Sequence, residues 1–449
     1  MDLLIVLTVS FLLLIFSVLK GYFIVYPLVI SLLLLILTLA RRGFAWKRLI
    51  KMAVAGSRQS WSVIIILVLI GAVIATWLAA GTVPAMVYYG VQWIRPRYFI
   101  LSAFLLTSLI SLIIETSFCT AGTIGLALII IANSSTINSN LVAGAIMSGA
   151  YFGDRCSPLS SSANLVATMT RTQLYRNIQN MMLTGGVAFG FSCVIYGIFS
   201  ALNPVEITNT EILNQIRAQF DLHPVVLAPA AAILILAIFR VEVKLSMIIS
   251  LGLAVVIAVF LQENSGLELV RIAWSGFHLP SINPLSTVFQ GGGITAMLKV
   301  ALIVLISTAF SGVLIQTHSL QGIQNLFKSL RSERDLFLGT ILVSLATSAL
   351  GCTQTIAILL TQQLTQETYQ SLQLKSEQLA VDLENSAVVI APLIPWNIAC
   401  LIPATVLMAD FRFIPYAVYL YLLPLLVYFQ KPTVDMPTAK AIVSNSGDG

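Results

Sequence analysis

The sequence predicts an all-α polytopic membrane protein with inverted repeats, re-entrant hairpins and broken transmembrane helices. Three observations carry this. Of 449 residues, 58% are hydrophobic and only 9% charged, with a mean hydropathy of +0.95, a balance that belongs to chains whose solvent is lipid. Apolar runs near the spanning length of about 20 residues recur from end to end. One short polar stretch, GDRCSPLSSSAN from Gly153 to Asn164, interrupts apolar flanks. Hydrocarbon cannot satisfy freed backbone groups, so non-helical backbone at membrane depth persists only where protein covers it or where it lines a wet cavity. The whole chain, 1–449, reads as one transmembrane transporter domain.

Spans at 2–19 and 22–40 form a tight hairpin. The following loop holds Arg41, Arg42, Lys47, Arg48, Lys51 and Arg58, the densest basic cluster, and is placed in the cytoplasm together with the N-terminus. The N-terminal run lacks a basic n-region and reads as a first span rather than a cleaved signal. A span at 60–80 leads outside. Residues 98–133 form a helical hairpin turning at Glu115–Thr123, ETSFCTAGT; its length barely suffices for two crossings, so a re-entrant hairpin is equally open. A half-helix at 139–154, the polar break, a continuation at 164–178 and a span at 180–201 follow. Further spans are read at 224–239, 242–261 and 294–315, with an inside loop carrying Lys328, Arg331 and Arg334.

The earlier pattern then recurs. A second hairpin at 335–365 turns at CTQT, Cys352–Thr355, and a second broken helix at 377–410 centres on Pro392 and Pro395. Cys119 and Thr120 match Cys352 and Thr353 at an offset of 233, and Pro158 and Leu159 match Pro392 and Leu393 at 234. One copy enters the membrane from outside and the other from inside, so the repeats, about 98–201 and 335–430, are inverted, and the site is expected at their interface near the midplane. A last span at 413–429 precedes a polar tail, making roughly fourteen membrane segments.

Asp154 is the sharpest candidate, since an ionisable group deep in a span usually faces the bundle interior or an ion path. Burial favours its protonated form and a bound cation its ionised form, so the two occupants oppose each other at one carboxylate, which suffices for antiport. The competing reading is a structural salt bridge with Arg155. Ser157, Ser160, Ser161, Ser162 and Asn164 offer uncharged oxygens to a hard cation, and Pro158 builds in the helix break. Those serines would otherwise only satisfy the broken ends. Glu384 is a second proton or cation carrier, unless it belongs with Asp382 to the membrane surface. Asn385 and Asn397 accompany it, and Trp396 is an interfacial anchor or a gate. Hairpin residues Thr120, Thr123, Thr353, Gln354 and Thr355 gain weight from their symmetry alone. His223, His278 and His318 receive no role.

Composition excludes other classes. The net charge of +6 is dispersed through short loops and implies no nucleic-acid partner. The five cysteines lack CxxC spacing, so neither a disulfide framework nor a structural metal is expected, and no cofactor is. Intramembrane aspartyl hydrolysis would need GxGD, but Tyr151 and Phe152 precede Gly153 and Asp154; no HExxH occurs either. A channel fits poorly, because broken inverted repeats suit alternating access.

With those residues in place, the chain resembles the NhaC-type sodium/proton antiporters. GAYFGDRCSPLSSSANL (Gly149–Leu165) resembles that family's long signature, TSFCTAGTIG (Thr116–Gly125) its hairpin motif, and LENSAVVIAPLIPWN (Leu383–Asn397) its second-half motif. The resemblance implies a bacterial inner-membrane exchanger of Na⁺ and H⁺ and lends weight to Asp154, Ser157, Asn164, Glu384 and Asn397. The family pattern carries an acid where Ser161 stands and ED where Glu384 and Asn385 stand. Fewer carboxylates suit a weaker cation site, or a proton- or sodium-coupled exchanger of a small organic acid, malate- or lactate-like, or of an amino acid on the same fold. The partners implied are the lipid bilayer and a small cation or small molecule, and a homodimer is possible.

Overall fold

Small and polar residues recur every third or fourth position on the inward faces of helices whose outward faces are apolar, the reverse of a soluble amphipathic pattern. Without a hydrophobic drive between helices in lipid, close packing of small side chains and interhelical hydrogen bonds hold such a bundle together. The computed structural model describes residues 2–93, 96–113, 117–133, 135, 137–204, 210–239, 241–280, 284–287, 289–317 and 332–432. Among them the regular structure is helical, with an isolated antiparallel bridge from Phe277 to Gly291.

The helices run in order: α1 (Asp2–Lys20), α2 (Val25–Arg41), α3 (Trp46–Gln59), α4 (Trp61–Ala79), α5 (Thr82–Trp93) and α6 (Phe99–Ile113). Next come α7 (Ser117–Thr120), a π-helical turn at Ala121–Gly125, and α8 (Leu126–Asn133). Then follow α9 (Ser139–Cys156), α10 (Ser161–Thr170), α11 (Leu174–Leu202), α12 (Thr210–Gln219), α13 (Ala228–Ile238), α14 (Val243–Phe260), α15 (Gly266–Ser275) and α16 (Ile294–Gln316). The last group is α17 (Glu333–Gly351), α18 (Gln354–Ser371), α19 (Ser376–Glu384), α20 (Ala387–Ile390), α21 (Ile398–Val406) and α22 (Val418–Gln430).

Among the described residues five helices, α4, α11, α14, α16 and α17, are long and apolar enough to cross a bilayer. A sixth span is formed if Ser376–Leu393 and Ile398–Val406, bent by 54°, are taken together. Six shorter apolar helices accompany them, so length and apolarity alone do not reach the fourteen segments expected. The chain is a multi-pass membrane protein. On α11, Asn177, Met181, Gly185, Ala188, Ser192, Tyr196 and Ser200 are buried, while Leu183, Phe191, Val194 and Ile198 are exposed to the lipid side.

Several boundaries differ from those the sequence predicts. The basic loop after α2 is largely α3, because Leu49, Met52 and Gly56 fall on one helical face and are buried while Lys47, Arg48, Lys51 and Arg58 stay exposed on the other. Ser57 ties it to α16 by donating to the Leu305 carbonyl at 3.3 Å. The first hairpin turn is shorter than Glu115–Thr123, since helix resumes at Ser117; Glu115 itself, like His318, lies outside the described residues. The polar break is narrower too. Residues 153–156 remain helical in α9 and only 157–160 are unwound before α10. A left-handed residue, Arg171 at φ +54°, then ends α10, and α11 begins at Leu174 instead of continuing one long segment through 178.

The first broken helix is locked onto α6. A Cβ at Gly153 would lie 2.3 Å from Ser111 Cβ and 2.5 Å from its carbonyl carbon, so only glycine admits this approach, and Ser111 Oγ donates to the Ala150 carbonyl at 2.5 Å. The second half breaks where Ser386 departs from helical geometry (φ −126°, ψ −80°) and again past the 3₁₀ turn Ala391–Leu393 that holds Pro392. Cys352, left-handed at φ +56°, ends α17 and lets α18 double back.

Candidate functional site

The two breaks bring opposite halves of the chain to one buried point. Asp154 is 3% exposed, near the end of α9. Its Oδ1 accepts from Ser160 Oγ at 2.9 Å, and Oδ2 accepts a long hydrogen bond from Ser117 Oγ at 3.5 Å. Ser160 is the N-cap of α10, its hydroxyl also accepting from Ser162 N at 3.2 Å and Ala163 N at 3.4 Å. Gln354, the first residue of α18, brings its side-chain amide close to Asp154 and donates to the Val388 carbonyl at 3.1 Å. The carboxylate therefore sits where two half-helices begin, one from each half, and the partial positive charge of those N-termini favours an anion there.

The salt bridge to Arg155 is not formed. Arg155 is fully buried and directs its guanidinium away from Asp154, donating to the Met181 carbonyl at 3.1 Å, Tyr419 Oη at 3.2 Å, Thr184 Oγ1 at 3.3 Å and Asn385 Oδ1. Gly185 makes room for it: a Cβ there would lie 2.5 Å from Arg155 Nη1. Asn385, 230 residues away in sequence, is thus part of the Arg155 cradle. Glu384 beside it is 1% exposed and lies within electrostatic reach of both Arg155 and Asp154. Among the described residues neither of its carboxyl oxygens has a hydrogen-bond partner, and Arg155 Nε and Asn385 Nδ2 are likewise unpartnered. Buried polar groups are normally satisfied, so a cluster of orphans in three neighbouring side chains marks a place where a mobile occupant or water completes the bonding.

The remaining candidates divide by what their side chains already do. Ser157 donates to the Leu112 carbonyl at 2.9 Å and so ties the break to α6. Asn164 donates to the Pro158 and Ser160 carbonyls at 3.2 and 2.7 Å, bracing the break from an exposed position. Ser161 is also exposed and does not join the Asp154 cluster. Thr353 caps α18 by accepting from Ile356 N at 3.1 Å, and Asn397 caps α21 while donating to the Ser348 carbonyl at 2.8 Å. Thr123 bonds back to the Cys119 carbonyl at 2.8 Å, and Thr120 is fully buried beside it. Pro395 lies in the turn before α21, half-buried, with Trp396 donating to the Ala349 carbonyl at 2.7 Å. That bond buries Trp396, so it is no interfacial anchor. Ser117 was not singled out by the sequence; its only signal is its place in the hairpin beside Thr120. Arg155 was considered only as a partner for Asp154.

Asp382, two residues before Glu384, is equally buried but has a cation and a hydroxyl on one oxygen. Its Oδ2 accepts from Lys431 Nζ and from Tyr369 Oη, each at 2.9 Å.

Buried carboxylates gathered at helix breaks inside a multi-pass helical bundle are an arrangement that secondary transporters use. Residues 149–429 match the Na⁺/H⁺ antiporter family. The chain is 28% identical over 383 residues to the Malate-2H(+)/Na(+)-lactate antiporter of Bacillus subtilis, covering 84% of this chain and 82% of that one. It is 30% identical over 369 residues to an uncharacterized Na(+)/H(+) antiporter of Haemophilus influenzae, covering 79% of each. With the Na(+)/H(+) antiporter NhaC of Alkalihalophilus pseudofirmus it shares 27% over 404 residues, 89% of this chain and 87% of the relative. The chain belongs to the Na⁺/H⁺ antiporter family of the NhaC kind.

Proposed function

We propose that the protein exchanges Na⁺ for H⁺ across the bacterial inner membrane, with Asp154 as the carboxylate shared by the two ions and Glu384 assisting. The observation that carries this reading is the Asp154 carboxyl held by Ser160 and Ser117 of one half, with the Gln354 amide of the other half beside it. A hard monovalent cation would find oxygens there from both halves, so its arrival and departure would bear on how the halves meet. The charge balance supports the same reading. With both acids ionised and Arg155 cationic the core carries one excess negative charge, which a membrane interior tolerates only when a proton or a cation accompanies it. Glu384, without a partner of its own, is the group on which that companion costs least.

The inverted arrangement of the repeats, 98–201 and 335–430, belongs to this proposal and rests on the matching motifs of the two halves. So do the cytoplasmic N-terminus, argued from the basic face of α3, and assembly as a homodimer. A second reading is an exchanger of small organic acids. It is favoured by Arg155, a buried cation whose contact at position 385 is an asparagine and not an acid, and by the activity in the Bacillus subtilis relative's name.

The test uses inverted membrane vesicles energised to an acidic interior and read with a pH-sensitive dye. Adding Na⁺, Li⁺ or K⁺ should alkalinise the interior with cation selectivity in the native protein and not in Asp154→Asn. No response to any cation, from folded and inserted protein that is instead protected against thermal unfolding by malate or lactate, would transfer the assignment to organic acids.

A further inference from the structure

A cavity of about 330 Å³ opens beside the orphaned cluster. Its walls come from three helices, with Asn180 and Thr184 on α11, Gln378, Val381 and Asp382 on α19, and Lys431 just past α22. It lies at the end of the bundle where charges collect: Lys375 and Glu377 also line it, and Arg176 pairs with Glu377 at 3.7 Å across a largely exposed contact. Two of its lining residues reach the core. Thr184 Oγ1 accepts from Arg155 Nη2 at 3.3 Å, and Val381 stands one helical turn before Glu384, on the same face of α19. Lys431 stands in the cavity wall beside Asp382. Its ammonium is 2.9 Å from Asp382 Oδ2 and 4.0 Å from Glu333 Oε2 and lies over the Phe337 ring at 5.5 Å. Asp382 is held further by Tyr369, and Glu333 accepts from Gln378 Nε2 at 2.5 Å.

We propose that this cavity is the aqueous vestibule through which protons and hydrated cations reach Glu384, and that the Lys431–Asp382 pair is its gate. The proposal rests on the exchanger reading for what passes, but on geometry alone for the route. A buried ion pair is a poor source of net stability compared with apolar packing, so its use at the rim of an open cavity points to a contact that can open. A lysine suits that task because its flexible stem can carry the ammonium out to water while the stem stays packed. The unpartnered oxygens of Glu384 and the unpartnered nitrogens of Arg155 and Asn385 are then hydrated from this side when the gate parts.

The experiment is thiol labelling of the full chain in membranes. Asn180→Cys and Val381→Cys are made singly and treated with a membrane-impermeant cationic methanethiosulfonate reagent. The control is Val187→Cys on the lipid side of α11, where the native residue is 45% exposed. Native protein supplies the background, since Cys119, Cys156, Cys352 and Cys400 are buried and Cys193 partly so. Asn180→Cys is expected to react at least about tenfold faster than Val187→Cys, a factor equivalent to ~1.4 kcal/mol, and its modification should block exchange. Equal rates at the two positions, or modification that leaves exchange unaffected, would overturn the vestibule. Adding Lys431→Met should speed labelling at Val381→Cys by about tenfold, again ~1.4 kcal/mol; an unchanged rate in folded Lys431→Met protein would overturn the gate. Should Lys431→Met fail to fold, the two cysteines in the otherwise native chain still decide the route. Labelling needs no turnover, so fast labelling in a protein that moves no Na⁺ would count against the exchange reading while supporting the vestibule.

Discussion

Asp382 and Glu384 stand two residues apart on one short helix and are buried to the same degree, yet their surroundings are opposite. Asp382 has a lysine and a tyrosine on one carboxyl oxygen, whereas Glu384 has no hydrogen bond on either. The difference teaches how a membrane protein separates acids that hold from acids that carry. An acid supplied with its own tethered cation has nothing to gain from a free one. In the exchange proposed above, an acid without partners has its bonding left to the cargo, and Asp154, held by the neutral hydroxyls of Ser160 and Ser117, is placed with Glu384 on the carrying side.

The comparison breaks most visibly in transport. Asp154→Asn and Glu384→Gln should each reduce cation-driven proton flux in vesicles to background while the protein still inserts and elutes as folded. Retained flux in both would remove the carrying role. Stability should then move in opposite directions for the two neighbours. Lys431→Met leaves Asp382 buried and unpaired, and unfolding in detergent should occur at a lower temperature, with a loss of about 3 kcal/mol. Glu384→Gln removes an acid that had no partner and should leave the melting temperature equal or higher. A melting temperature lowered equally by both would show that the two acids are alike. A smaller effect is expected at Gly185→Ala, which drives a methyl group against the Arg155 guanidinium and should cost about 1–3 kcal/mol, most of it recovered if Arg155 is shortened in the same chain. Least of all, Ser161→Ala should change stability by no more than about 0.5 kcal/mol and leave flux alone. A flux defect there would bring the exposed face of α10 into the site.

Much of this was readable in advance, for identifiable reasons. Asp154 stood out because an acid among apolar residues has few explanations, and the break beside it followed from Pro158, which removes a backbone donor and disfavours helix at the residue before it. The helix α3 was legible in principle from Leu49, Met52 and Gly56, but its basic residues masked a helical face as a loop. What sequence could not supply was direction around an axis. In helices apolar on every side no periodicity says which residues meet. Thus Ser160 and Ser161, adjacent and chemically identical, separate into a partner of Asp154 and an exposed residue. The bond from Arg155 to Asn385 joins positions with no local sign of each other, and it recasts the missing acid at 385 as a feature of the arginine's cradle before it is one of the cation site. Gln354 stood out only by symmetry, yet its amide comes close to Asp154 from the second half.

The position of Lys431 also orders events during synthesis. It follows Asp382 by 49 residues, so at a translation speed of about 5–20 residues per second Asp382 spends roughly 2–10 s in a growing chain before its partner exists. Through that interval α19 cannot settle as it does in the finished bundle without stranding an acid. Completion of the last helix is therefore the step that licenses closure, and a chain released before it would be left with the rim of its own interior ajar.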